Sequence, residues 1–188
     1  SVCGLLIEEG YQFYILDPKL EDLAKAKNYP YYKDLKTFVK FVIQKCEKEN
    51  RRIVYWSSHE RNKFKEQGYP IDQIGFDLKR PAKKHFSDLF KKFRKDSRKF
   101  RSRDVARSTK KSLRTRSFGL LTLVAESIGM ERPAAYGAGL VGTWLRMMQK
   151  QGEKKADYSE WNKSGKTKAS LLKRHNQHDC LAMQFVLD

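Results

Sequence analysis

Cysteine is scarce in this chain, three residues in 188, and Cys3, Cys46 and Cys180 are far apart with no C-x-x-C pair. That spacing excludes a disulfide framework and a cysteine zinc site, and reads as reduced thiols of an intracellular protein that is not secreted. Long apolar runs are also missing: none approaches the roughly 20 residues of a membrane-spanning helix, and no leader pattern is visible. Acidic residues are few against the bases, 22 Asp and Glu to 40 Lys and Arg, for a formal charge of +18. A compact domain holds such an excess best against a polyanion, and nucleic acid is the expected partner. The length suits one domain over residues 1–188.

The chain opens with two β-rich runs, Val2 to Ile7 and Tyr11 to Leu16, around Glu8-Glu9-Gly10, the pattern of a hairpin. The region around Pro18 and Pro30 reads as a loop. Leu35, Phe38, Val39, Phe41, Val42 and Cys46 then recur at helical spacing. Arg51 to Trp56 predicts a third strand, and His59 to Gln67 a short helix stopped by Gly68. Further on, Phe118 to Ile128 predicts a helix with Leu120, Leu121, Val124, Ala125 and Ile128 inward and Gly129 as its stop. Thr143 to Gln149 predicts another, carrying Trp144, Leu145 and Met148. A polar loop over 151–168 leads into a last helix from about Ala169 to Leu187. The expected class is α/β, a mixed sheet flanked by helices.

Charge is concentrated in one place. From Lys79 to Arg116 there are 17 Lys or Arg against Asp88, Asp96 and Asp104, a local excess of +14. Phe86, Leu89, Phe90 and Phe93 predict a helix in the first part of this basic insertion. From Lys95 to Ser112 almost nothing is apolar, which predicts a mobile arm. Lys91, Lys92, Arg94, Lys95, Arg98, Lys99, Arg101, Arg103, Arg107, Lys110, Lys111, Arg114 and Arg116 are the candidate phosphate contacts. Six such contacts make binding fall about a thousandfold between 50 and 200 mM salt. Phe90, Phe93 and Phe100 among the cations suit either stacking on unpaired bases, hence single-stranded ends rather than intact duplex, or core anchoring. For Phe90 and Phe93 the core is preferred.

Two polar constellations carry chemistry. His175 and Asp179 are four residues apart on the last helix and share a face, where a carboxylate can hold Mg²⁺ or Mn²⁺ and an imidazole can take a proton from water. The same pair also reads as a solvated polar face. Trp56-Ser57-Ser58-His59-Glu60 lies where a strand gives way to a helix, a place where α/β sheets bind ligands, but Ser57 or Ser58 with Glu60 also reads as a plain helix cap. Asp88 is either a third carboxylate or a surface acid.

Together these pieces, a hairpin, a helix, a strand ending in Ser-His-Glu and a final helix with His-x-x-x-Asp, resemble the ribonuclease H-like DEDD 3′–5′ exonucleases. The closest likeness is to the ribonuclease H-like nuclease domains that accompany RecB-type nucleases or helicases. That family's last helix reads Tyr-Asn-x-x-Asp followed by Cys or Val and then Ala, and this chain reads His175-Asn176-Gln177-His178-Asp179-Cys180-Leu181-Ala182. The resemblance implies Asp179 as terminal metal ligand, His175 as general base and Glu60 as second-motif carboxylate; Asp88, read from its own helical pattern, is a further candidate metal ligand, with the surface preferred. It also implies a two-ion Mg or Mn site hydrolysing phosphodiesters. The family's first strand carries Asp-x-Glu, and nothing before Val2 supplies it. The hairpin matches the second and third strands, so the first strand is expected to be missing, in a segment of a larger polypeptide or complex. His175 also stands at tyrosine-type spacing. The chain is expected to bind nucleic acid far better than it cuts it; the alternative to a nuclease is a non-catalytic nucleic-acid-binding domain. A cytoplasmic or nucleoid-associated location follows.

Overall fold

A computed structural model describes residues 2–104, 119–131, 140–155 and 157–188, with backbone alone over 96–104. Strands β1 (Val2–Ile7) and β2 (Gly10–Ile15) form the expected antiparallel hairpin, with Val2 opposite Ile15 and Ile7 opposite Gly10. Helix α1 (Glu21–Lys27) follows a 3-10 turn at Pro18–Leu20 in the region read as loop. Its seven residues bury only Leu23 and Ala24, too few to set a period, and the helix exists because those two meet the core.

Helix α2 (Leu35–Lys48) begins at Asp34, whose carboxylate accepts from Thr37 N at 2.7 Å, and buries Phe38, Val39, Val42 and Ile43. Strand β3 (Ile53–Tyr55) and helix α3 (Ser58–Glu66) stand as expected. Strand β4 (Gly75–Asp77) was not legible in its sequence, Gly-Phe-Asp. It is made by parallel pairing with β3, Val54 opposite Phe76.

Among the described residues the strands form two separate pairs, β1–β2 and β3–β4, in place of the single mixed sheet that was expected. The architecture is α/β and mostly helical.

Helices α4 (Lys79–His85) and α5 (Ser87–Asp104) carry the basic region. The helix runs on to Asp104, through the first part of the stretch from Lys95 that was expected to be a mobile arm. Lys and Arg are good helix formers, and a charged surface helix needs only its first turns anchored, here by Phe90. The rest of the expected arm, 105–112, lies outside the described residues.

Helix α6 (Leu120–Ser127) buries Leu121, Val124 and Ala125, but Ile128 is 41 % exposed, against the inward expectation, because the helix ends before it. Gly68 and Gly129 close α3 and α6 at φ +87° and +105°, a region that favours glycine. Helix α7 (Val141–Lys154) is twice the expected length. Helix α8 (Lys163–Leu187) starts six residues before the expected Ala169, because Asn162 caps it through Gly165 N at 2.8 Å.

The core is organised about β2. Its side chains alternate, so Phe13 and Ile15 pack with Trp144, Met148 and Leu172 of α7 and α8, while Tyr14 and Leu16 pack with Phe38 and Val42 of α2. Both faces of the hairpin are therefore covered. A smaller cluster joins Phe90 of α5, Val124 of α6 and, beside them, Trp56 and Val186.

Candidate functional site

Helix α8 crosses β1 closely because position 4 has no side chain: a Cβ on Gly4 would fall 1.8 Å from Asn176 Oδ1 and 2.7 Å from the Tyr11 ring. In the space so left, the Tyr11 hydroxyl donates to Asn176 Oδ1 at 2.8 Å. Sequence reasoning missed this lock, since its one sign was a lone glycine in a strand, the mark of a close backbone approach.

One turn along α8 stand His175 and Asp179. His175 Nε2 lies 3.5 Å from Asp179 Oδ2, and the imidazole packs edge-on to Trp144, with ring centres 6.3 Å apart. His175 is only 9 % exposed, and burial holds its pKa below the usual histidine value, with Asp179 pulling the other way. The imidazole is thus neutral at pH 7, the form a proton acceptor needs. Asp179 is part-exposed. The reading of a wholly solvated polar face does not describe this pair, because its histidine is in the interior.

Glu60 caps its own helix. The Ser57 hydroxyl donates to the Glu60 carboxylate, Ser57 N donates to Glu60 Oε2 at 3.1 Å, and Ser57 Oγ accepts from His59 N at 3.2 Å. This capping box is the plain reading of the segment, and it fixes where Glu60 points.

Glu60 and Asp179, 119 positions apart in the chain, each act on one of two neighbouring thiols. Burial, with Glu60 nearby, pushes the Cys3 thiol up to about 12; burial, then Cys3 and Asp179, push Cys180 up to about 12. Tyr11 is raised as well, by burial first and then by Cys180, Cys3 and Asp179 among its neighbours. Both thiols, Cys3 on β1 and Cys180 on α8, are therefore uncharged at neutral pH.

Asp88 does not join them. It is 92 % exposed in the first turn of α5 and meets Lys91 Nζ at 3.0 Å, a surface acid. Among the described residues no three His, Cys, Asp or Glu side chains cluster as a metal site would require. Each Mg²⁺ takes near-octahedral oxygen ligation and keeps few protein ligands, but two adjacent ions still need several carboxylates. Glu60 and Asp179 alone do not fit a two-ion group.

Of the candidate phosphate contacts, Lys91, Lys92, Arg94 and Lys95 are exposed on α5, and Arg98, Lys99, Arg101 and Arg103 continue along its backbone. Arg107, Lys110, Lys111, Arg114 and Arg116 lie outside the described residues. Phe90 is buried, 6.4 Å from Trp56 between ring centres, and anchors the helix as expected, while Phe93 is half-buried. Lys79, Arg80, Lys83 and Lys84 of α4 add four exposed cations. No described helix is long and apolar enough to cross a membrane.

Comparison with protein-family models, with curated proteins and with solved structures finds no match to this chain.

Proposed function

We propose that this protein is a nucleic-acid-binding domain that grips the phosphate backbone with the cationic face of α4 and α5. The observation that carries the reading is the row of eight exposed cations from Lys79 to Lys95, held on two helices whose apolar sides are anchored by Ala82 and Phe90. A row of like charges raises the free energy of the compact fold by self-repulsion, and counterion release on binding a polyanion offsets it. Helical presentation fixes the spacing of the charges, and single-stranded ends are the favoured ligand.

Fluorescence anisotropy with single-stranded oligonucleotides of DNA and RNA tests this. Binding should weaken by about 300-fold between 50 and 200 mM salt if six cations make contacts, at about 0.7 per contact for a single strand. Affinity that does not change with salt sinks the proposal.

A second reading is a metal-dependent nuclease related to the ribonuclease H-like exonucleases, with His175, Asp179 and Glu60 in the site. It is supported by Glu60 acting on Cys3 and Asp179 on the neighbouring Cys180, and by the neutral, buried His175. Under that reading Mg or Mn would need further carboxylates, such as the family's Asp-x-Glu, beside these two. Digestion of a labelled single strand in Mg²⁺ or Mn²⁺, lost in Asp179→Asn while binding is retained, would favour it over the first.

A further inference from the structure

Between β1 and β3 runs a groove of about 370 Å³. It touches every residue from 4 to 7 and from 51 to 54. Successive residues of a strand point to opposite faces, so a groove that meets them all is bounded by strand edges rather than by a face. Among the described residues no ladder joins these edges, β1 pairing only with β2 and β3 only with β4. Ile53 N donates to Ile74 O and Tyr55 O accepts from Leu78 N, both at 2.9 Å, so residues 53 and 55 turn toward β4. The N–H and C=O of Val54 therefore turn toward the groove.

The two edges run in opposite directions. Arg51, just before β3, meets Glu8, just after β1, at 3.1 Å, while Glu60, beyond the other end of β3, acts on Cys3 near the start of β1. Any strand lying between them is parallel to one and antiparallel to the other. Val42 and Cys46 of α2 wall the groove on one side, and Met183 and Leu187 of α8 wall it on the other, continuing the cover that these helices give the hairpin.

We infer that this groove is a docking slot for one extended peptide strand, which would join the two strand pairs into one sheet. An apolar small molecule or a lipid chain would leave the facing N–H and C=O groups unmet; a backbone meets both rows. Walls that are mainly apolar on both sides, with Lys45, Glu49 and Gln184 as their polar members, select a strand largely apolar on both faces, the composition of a central sheet strand. At the end of the groove near Glu8, Arg52 is exposed and has no ion pair among the described residues, so the matching strand is acidic there. Neither undescribed internal segment has this composition: 105–118 carries five Lys or Arg, and 132–139 contains Pro133, Gly137 and Gly139. The inference stands apart from nucleic-acid binding and is tested separately from it.

The experiment adds synthetic peptides of about eight residues, rich in Val, Ile and Thr with an Asp at either end, to the full chain, each beside a twin with a central proline. Amide hydrogen exchange is the readout. The expected result is exchange slowed about tenfold or more at Val54 and at alternate amides of 4–7, with β4 unaffected and the proline twins inert. Leu187→Lys and Met183→Lys should each weaken the peptide about tenfold; Leu187 is 49 % exposed, so its replacement leaves the fold intact, as an unchanged Tm would verify. Absence of protection with every peptide, or equal protection by the proline twins, overturns the inference. So does protection that appears on concentrating the protein alone, which assigns the groove to a second copy.

Discussion

Where α7 and α8 cross the hairpin, Phe13, Ile15, Trp144, Met148 and Leu172 are buried and polar side chains beside them pair with one another: Gln149 donates to Asp17 at 2.8 Å, and Lys19 meets Glu153. Along α4 and the first turns of α5 eight cations are exposed, and among the described residues only Arg80 and Lys91 of these have a carboxylate partner, Asp77 and Asp88. The first region uses its side chains for its own stability, and the second leaves most of its charge exposed to solvent. Because one set of residues does the packing and another carries the charge, the two can be disturbed independently.

The sharpest break removes the charge. Replacing Lys91, Lys92, Arg94 and Lys95 by Gln should weaken single-strand binding about tenfold or more at 50 mM salt and lower the slope of log K against log salt by about 3, at about 0.7 per lost contact. Anisotropy at several salt concentrations measures both, and the urea midpoint should stay within about 0.5 kcal/mol of the parent or rise as repulsion is relieved.

The opposite break acts on packing alone. Gly4→Ala drives a methyl into Asn176 and the Tyr11 ring, and should cost about 1–3 kcal/mol in urea denaturation with the salt slope of binding unchanged. Smaller again, Ser57→Ala removes one side of the capping box and should cost about 1 kcal/mol. If Ser57→Ala also abolished a measured nuclease activity, the orientation of Glu60 would be its cause.

Least in size is a pH effect centred on His175. Its folded pKa is depressed by burial, so the unfolded chain binds the proton first. The stability from keeping it neutral is complete above the unfolded value of about 6.5 and is lost as pH falls below that. Urea midpoints followed from pH 7.5 to 5.5 should decline, and less steeply in His175→Gln. An identical decline in both proteins would assign the effect to other groups.

Much of the fold was legible in advance because it rests on strong local patterns: the alternation in Tyr11 to Leu16, the helical spacing from Leu35 to Cys46, the stop at Gly68, and the His175 and Asp179 spacing. What escaped depends on partners distant in the chain. Strand β4 has no strand-like composition and exists by pairing with β3; α1 has two core residues and exists because they meet α7 and α8; the polar start of α8 is helical because Asn162 caps it and Gly165 lies against Trp161. Of the expected site, His175 and Asp179 share a face of α8 as their spacing implied, while Asp88 is directed to solvent, a choice that helical phase decides and composition does not.

The sequence alone determined the sign and location of the charge, the alternation that buries both faces of β2, and the face shared by His175 and Asp179, because each depends on residue type and on the fixed periods of strand and helix. Only the tertiary structure decided that Cys3 and Cys180 lie near each other with Glu60 acting on the first and Asp179 on the second, that α8 comes within reach of β1 at Gly4, and that two strand edges are left facing one groove. Those are relations between segments more than 100 residues apart or on separate sheets, set by how helices α2 and α8 clamp the hairpin, and no local pattern encodes a distance of that kind.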